Sequence, residues 1–248
     1  MPSKQVTDRS RSSEIVGTNA ETFAADVAAK THTQLSPFLQ DGEVMPDTAL
    51  QLKLFARFLA SKMTLLEQAD STHEAEIGDD AQPRAERDEA EGELRETTAE
   101  FRNAIVAKYG DVGLRVMGVY EPLPRTAPEL AKYGRSLHTA LIDPARVLTG
   151  SRRRGLQVDR EAMATELLAP VERLEAALRK VNQEAAELHL TQTAKDRAMD
   201  DNDEVFSGVA KAVEGLLTLA GRKDLADRVR PSRRKPGVVE AEEGPVSV

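Results

Sequence analysis

The sequence predicts an all-α protein, an elongated helical bundle or coiled coil with one very long helix towards its C-terminal end and disordered tails. The main observation is a series of positions from Leu167 to Ala220 that follow alternating three- and four-residue steps and are mostly apolar. A pattern of 3.5 residues per turn keeps one stripe of a helix against a partner, as in coiled coils. Neither proline nor glycine occurs between residues 171 and 207, so nothing in the sequence interrupts this heptad seam.

Composition supports the same fold class and excludes several kinds of chemistry. Aromatic residues make up 4% of the 248 residues, and tryptophan is absent, which favours helices over a β-sandwich or a Rossmann-type sheet. The absence of cysteine excludes disulfides, thiolate nucleophiles and cysteine-ligated metal centres. The polar first residues and the lack of a long apolar run predict a cytoplasmic protein without a membrane span.

The first half of the chain is predicted to be a tail followed by a helical bundle. Residues 1–17 are polar and poor in large apolar groups, which is typical of disorder. The bundle region, 18–141, contains helical patterns near 20–35, 47–76, 84–109 and 126–141. Asp47 is the predicted N-cap of the second helix. The apolar face of that helix is so broad that we expect it to be buried on more than one side.

The second half of the chain is predicted to be dominated by the heptad helix. A basic connector, 142–158, leads to Asp159, which is the predicted N-cap of the long helix. The region 159–230 comprises this helix, which ends at Gly221, and a short terminal turn. A second disordered tail is predicted for residues 231–248.

Two structural questions stay open at the level of sequence. The long helix is either continuous or folded into a hairpin near residues 190–193, and the unbroken heptad phase favours the continuous form. The two predicted caps and the two helix-ending glycines, Gly110 and Gly221, recur at an offset near 111 residues. This recurrence indicates either a duplicated helical unit or a chance alignment of amphipathic helices.

The distribution of charge points to two basic segments as candidate anion-binding sites. The formal net charge is −8, and residues 71–100 alone hold eleven acidic and three basic side chains. Basic residues concentrate in the connector and in a C-terminal run, where their side chains could meet the phosphates of nucleic acid or lipid. The overall acidity makes nucleic acid the less favoured partner. The anion-binding candidates are Arg152, Arg153, Arg154, Arg233 and Arg234.

No motif in the sequence indicates catalysis, a cofactor or a metal. The four histidines are scattered, and neither a phosphate-binding loop nor a nucleophile elbow is present. The sequence therefore predicts a non-catalytic structural or interaction protein that self-associates or docks another helical protein along the seam. A ligand-binding or catalytic bundle would have to use the polar seam residues Gln192, Lys195 and Asn202. The predicted interaction residues are Leu174, Leu178, Val181, Leu188, Met199, Phe206, Val209, Val213 and Leu216.

Overall fold

The computed structural model describes residues 2–79, 81–153, 155 and 157–240, and it confirms the all-α class. Within those residues there is no β-strand, and one isolated antiparallel bridge joins Pro231 to Val239. A short 3₁₀ turn, Ser36–Phe38, follows the second helix. The α-helices are α1 (Lys4–Thr22), α2 (Ala24–Leu35), α3 (Thr48–Asp79), α4 (Ala81–Tyr109), α5 (Asp111–Met117), α6 (Ala127–Ile142), α7 (Arg160–Leu219) and α8 (Lys223–Val229).

The long helix is continuous. The 60 residues of α7 run through Pro170 and through residues 190–193, so the hairpin alternative does not occur. Its predicted N-cap is confirmed, because Asp159 Oδ1 accepts hydrogen bonds from the backbone N–H groups of Glu161 and Ala162, both at 3.0 Å. Asp47 caps α3 in the same way, accepting from the N–H of Leu50 at 2.9 Å.

The chain forms two compact units that differ from the predicted division along the sequence. Unit 1 combines Met1–Ala75 with His189–Val248, and unit 2 is Glu76–Leu188. The boundaries fall within α3 and α7, so each of these helices contributes residues to both units. Heptad periodicity shows which face of a helix is buried but not which distant segment covers it, and this is why the division could not be read from the sequence.

The core of unit 1 is built by α1, α2, the first part of α3, the last part of α7, and α8. Its side chains recur at three- and four-residue steps on each helix, which places them on one face. The members with the lowest exposure are Val16, Ala20, Ala24, Val27, Leu52, Leu59, Phe206, Ala210, Val213, Leu217 and Val229.

The core of unit 2 is built by α4, α5, α6 and the first part of α7. Close packing in this core depends on Gly134 in α6, because a Cβ there would lie 2.8 Å from Val171 Cγ2 and 3.2 Å from Leu94 Cδ1. The side chains with the lowest exposure are Ala90, Leu94, Ile105, Met117, Val119, Leu130, Leu137, Ala140, Leu167, Val171 and Leu174.

The prediction of a disordered tail over residues 1–17 is wrong. Residues 4–22 form α1, in which Val6 and Val16 are fully buried. The buried face of α1 carries few large apolar residues and includes two serines, so composition alone resembled a disordered segment. The buried Ser12 hydroxyl donates to the Asp8 carbonyl at 2.9 Å, and this bond lets a polar residue occupy the buried face.

The predicted tail over residues 231–248 is also partly wrong. Residues 231–240 form a C-terminal hairpin, in which Ser232 N–H donates to the Val238 carbonyl at 2.8 Å and Glu240 N–H donates to the Arg230 carbonyl at 3.0 Å. Gly237 is buried at a φ of 73° and faces Asp203 and Arg9, which form a bidentate ion pair. Residues 241–248 lie outside the described residues.

Replacing Gly237 by alanine is expected to detach the C-terminal hairpin. The new Cβ would overlap Asp203 Oδ1, and the backbone conformation is one that non-glycine residues rarely adopt, so we expect a loss of about 1–3 kcal/mol. Hydrogen exchange should show faster exchange at the Ser232 and Glu240 amides. Gly208→Ala is the matched control, since a Cβ there meets no atom within 4 Å. Unchanged protection in the Gly237 variant would contradict this account of the hairpin.

The two units share several elements that recur at the offset near 111 residues. Gly110 and Gly221 follow the ends of α4 and α7 with φ values of 71° and 74°, and each precedes a helix of 7 residues. Both α3 and α7 begin at an aspartate cap. Each unit thus contains the first part of one long helical segment, the last part of another, and one short helix that follows a glycine with a positive φ.

Candidate protein-docking surface

The predicted interaction residues are largely covered by the chain's own helices. Leu174 packs in the core of unit 2, and Phe206, Val209 and Val213 pack in the core of unit 1. Met199 packs against a small cluster that contains Val6 of α1. Leu178, Val181, Leu188 and Leu216 are half-buried. In unit 1, α1 packs against part of the seam. Most of α1 lies in the segment 1–17 that the sequence predicts to be disordered, so the sequence offered no partner there.

The polar part of the seam contains a buried ion pair within unit 1. Lys195 Nζ lies 2.6 Å from Asp70 Oδ1, and the two side chains are 9% and 1% exposed. Asp70 Oδ2 accepts a hydrogen bond from the Ser3 backbone N–H at 2.8 Å. Burial raises the pKa of Asp70, but the contacts with Lys195 and Ser3 outweigh it and hold that pKa below its usual value.

Other polar groups lie in the same unit. His73 Nδ1 and Thr191 Oγ1 are 3.1 Å apart, and Asn202 is fully buried. Gln192 is half-buried, and its amide donates to Asp196 on the same helix at 2.7 Å. Lys195 and Gln192 are thus paired within the protein, and the buried pair of Lys195 with Asp70 joins two helices, which fixes their alignment. This use of the polar seam residues supports a structural role for them more than a role in binding a small ligand.

The outer face of α3 presents the most regular apolar surface in unit 1. Leu50, Leu54, Phe58 and Leu65 are 48% to 53% exposed. At 100° per residue these four positions fall within one stripe of the helix, which we call the α3 stripe. The stripe lies on the side of α3 opposite Leu59, which packs in the core. The sequence predicted burial on more than one side of this helix, and the described chain covers one side.

Basic residues flank the α3 stripe. Lys53 and Arg57 lie along one edge, exposed and without an ion pair within the described part of the chain. At the other edge, Lys62 Nζ pairs with Asp201 at 2.9 Å and lies 6.0 Å from the centre of the Phe58 ring. The α3 stripe is therefore an apolar surface with a basic edge. Helical periodicity places Leu50, Leu54 and Phe58 on one face, but it does not show that this face is uncovered.

The predicted anion-binding residues fall into two groups in different units. In unit 2, Arg152 packs over Gly110, where a Cβ would lie 2.6 Å from its guanidinium carbon, and Arg153 is exposed. Arg154 lies outside the described residues. In unit 1, Arg233 and Arg234 are exposed on the C-terminal hairpin. The two groups are not part of one unit, so no single basic surface is defined.

Two further features were not predicted from the sequence. Carboxylate oxygens of Glu76, Glu184 and Glu187 lie within 4.8 Å of one another in unit 2, and all three residues are half-buried. The sequence shows that Glu184 and Glu187 are three residues apart, but it does not show that Glu76 lies close to them. A groove of about 910 Å³ separates α1 from the C-terminal hairpin, and its lining mixes both signs of charge, including Asp8, Glu14, Arg11, Arg228 and Lys235.

Comparison with known proteins identifies no relative: no family model, no curated protein and no solved structure matches the chain. In the described ranges, no helix combines the length and the apolar character that crossing a membrane requires.

Proposed function

We propose that the protein is a non-catalytic interaction protein that docks a helical protein partner on the α3 stripe. One observation supports this proposal most directly. Four large apolar side chains at helical spacing stay half exposed on a helix whose opposite face is fully packed. Apolar side chains that are exposed together on one face of a soluble protein are typical of an interaction site. Helix recognition commonly uses apolar anchors at i, i+4 and i+7 spacing.

The proposal places docking on α3 and not on the heptad seam, because the seam residues with the lowest exposure already pack within the two units. Two of the three polar seam residues support it indirectly, since Lys195 and Gln192 are engaged within the protein, whereas the buried Asn202 side chain has no hydrogen-bond partner among the described residues. Binding to anionic surfaces through Arg233 and Arg234 is the weaker alternative, because the predicted anion-binding residues fall in different units and define no single basic surface.

Replacing Phe58 by aspartate is expected to abolish docking without unfolding the protein. The side chain is 49% exposed, so the free energy of unfolding should change by no more than about 0.5 kcal/mol. A photo-crosslinking amino acid at position 54 should yield a discrete adduct with another protein in the cell of origin, and Phe58→Asp should remove it. The same crosslinker at the exposed Glu96 in unit 2 is the control position.

Two results would contradict the proposal. One is an adduct at position 54 that persists in the Phe58→Asp variant at the same yield as in the parent. The other is a large loss of stability in that variant, which would show that the stripe belongs to the core of the protein. Leu59→Asp on the opposite face provides the comparison, because Leu59 is 1% exposed and its replacement should be strongly destabilising.

A further inference from the structure

We infer that the partner on the α3 stripe is an acidic amphipathic helix of another protein, and not a second copy of this chain. The inference rests on the proposed function and adds the chemistry of the partner. It follows from the charges at the edges of the stripe, from the symmetry of a possible dimer and from the size of the apolar surface.

The charges on α3 favour an acidic partner. No acidic residue occurs between Asp47 and Glu67, whereas the same segment carries Lys53, Arg57 and Lys62. Lys62 is neutralised by Asp201, so the free positive charge lies on the edge formed by Lys53 and Arg57. Carboxylates of a docked helix would meet these two side chains while its apolar face covers the stripe.

The neighbouring helix α1 compensates this charge only in part. Glu14 and Glu21 of α1 and Glu67 of α3 line the same groove as Arg57, but none of the three forms an ion pair with it. Lys53 does not line that groove. Among the residues that the structure describes, Lys53 and Arg57 on this edge therefore have no ion-pair partner, and their spacing of four residues places them on one side of the helix.

An antiparallel twofold pair of α3 stripes would bring like charges together. In a twofold antiparallel arrangement, each edge of the helix meets the same edge of its partner. Matching Leu50 of one copy with Leu65 of the other places the two Arg57 side chains next to each other, with a Lys53 beyond each. Four positive charges along one seam oppose such a dimer, and like-charge contacts of this kind discriminate strongly against the wrong partner.

The size of the α3 stripe also suits a single helix. The distance along α3 from Leu50 to Leu65 is about 22 Å, which corresponds to roughly four helical turns. Four half-exposed side chains form a small interface beside the roughly 800 Å² per partner of a typical complex, so the flanking charges should contribute much of the choice of partner. One docked helix of similar length would cover the stripe completely.

The test uses two labelled peptides that share one leucine face and differ only in the flanking charges. One peptide carries glutamates beside the leucines, and the other carries lysines at the same positions. Fluorescence anisotropy with the full chain at low salt is expected to show at least about tenfold tighter binding of the acidic peptide. The difference should shrink as salt screens the charges.

Charge exchange makes the test specific. The double variant Lys53→Glu with Arg57→Glu is expected to reverse the preference between the two peptides. Lys211→Glu with Lys223→Glu changes the net charge equally at exposed sites away from the stripe, and it should leave the preference unchanged. Because all four side chains are exposed, both double variants are expected to fold.

The outcomes separate this inference from the proposed function. If both peptides bind with equal affinity and Leu54→Asp abolishes that binding, the inference of an acidic partner is wrong, but the proposal of docking on the stripe stands. A dimer in sedimentation velocity that Phe58→Asp dissociates would also overturn the inference, because the occupant would then be a second copy. Peptide binding that survives Leu54→Asp, or no binding of either peptide, would overturn docking on the stripe itself.

Discussion

Replacing Val16 by aspartate is expected to unfold unit 1, although Val16 lies in a segment whose composition is typical of disorder. The valine is fully buried in a core that also contains Leu52 of α3 and Val213 of α7. Aspartate would have to be buried without a partner or force α1 away from that core, and we expect a cost of about 4 kcal/mol or more. Thermal and urea unfolding, followed by circular dichroism, measure this loss.

Two variants calibrate the expected result for Val16. Thr18→Asp introduces the same charge two residues away at an exposed position of α1, and it should leave the unfolding transition nearly unchanged. Val213→Asp changes the facing helix, where the side chain is also fully buried, and should destabilise to a similar degree. If the Val16 variant unfolds like the parent while the Val213 variant does not, α1 does not cover the seam.

Removing the Asp70 carboxylate is expected to have the second largest effect. Asp70→Ala would leave the Lys195 ammonium buried without its counter-charge and would free the Ser3 backbone N–H. Breaking one partner of a buried ion pair typically costs about 3–5 kcal/mol, because the remaining charge is still buried. Urea unfolding near neutral pH measures the effect.

A double variant distinguishes an unpaired charge from a simple loss of contact. Asp70→Leu combined with Lys195→Met replaces both charges by apolar groups, and it should be much less destabilising than Asp70→Ala alone. Equal losses of stability in the two variants would show that Asp70 does not act by compensating the charge of Lys195.

The ion pair also predicts how stability depends on pH. The pKa of Asp70 is lower in the folded protein than its unperturbed value of 3.8, so the folded state binds its proton less readily than the unfolded state does. Its contribution to stability is therefore complete above that unperturbed value and is lost as pH falls through the folded pKa. The Asp70→Leu with Lys195→Met variant should lose less stability than the parent over that acidic range.

Sequence reasoning succeeded where local chemistry decides the structure. The all-α class, the two aspartate caps and the continuity of α7 follow from helix propensity, capping and an uninterrupted heptad phase, all of which act over a few residues. The polar seam residues were also recognised as unusual. Their buried partner, Asp70, could not be found, because it lies on a distant helix.

Sequence reasoning failed where burial depends on distant segments. The first residues were assigned to a tail because Val6 and Val16 are separated by polar residues, and only the facing helices show that their face is covered. The α3 stripe illustrates the reverse case. Its apolar residues were expected to be buried, but periodicity does not show whether the covering partner belongs to the same chain.

The discontinuity of unit 1 has a consequence for synthesis on the ribosome. Its ion pairs join residues at opposite ends of the chain, such as Arg9 with Asp203 and Asp26 with Arg222, whereas unit 2 is one uninterrupted segment. Unit 2 can therefore fold while translation continues. In contrast, α1 cannot pack against the last part of α7 until that part has left the exit tunnel. Such high contact order slows folding and leaves apolar side chains uncovered in the nascent chain. Chaperone dependence should accordingly concentrate on the first helix.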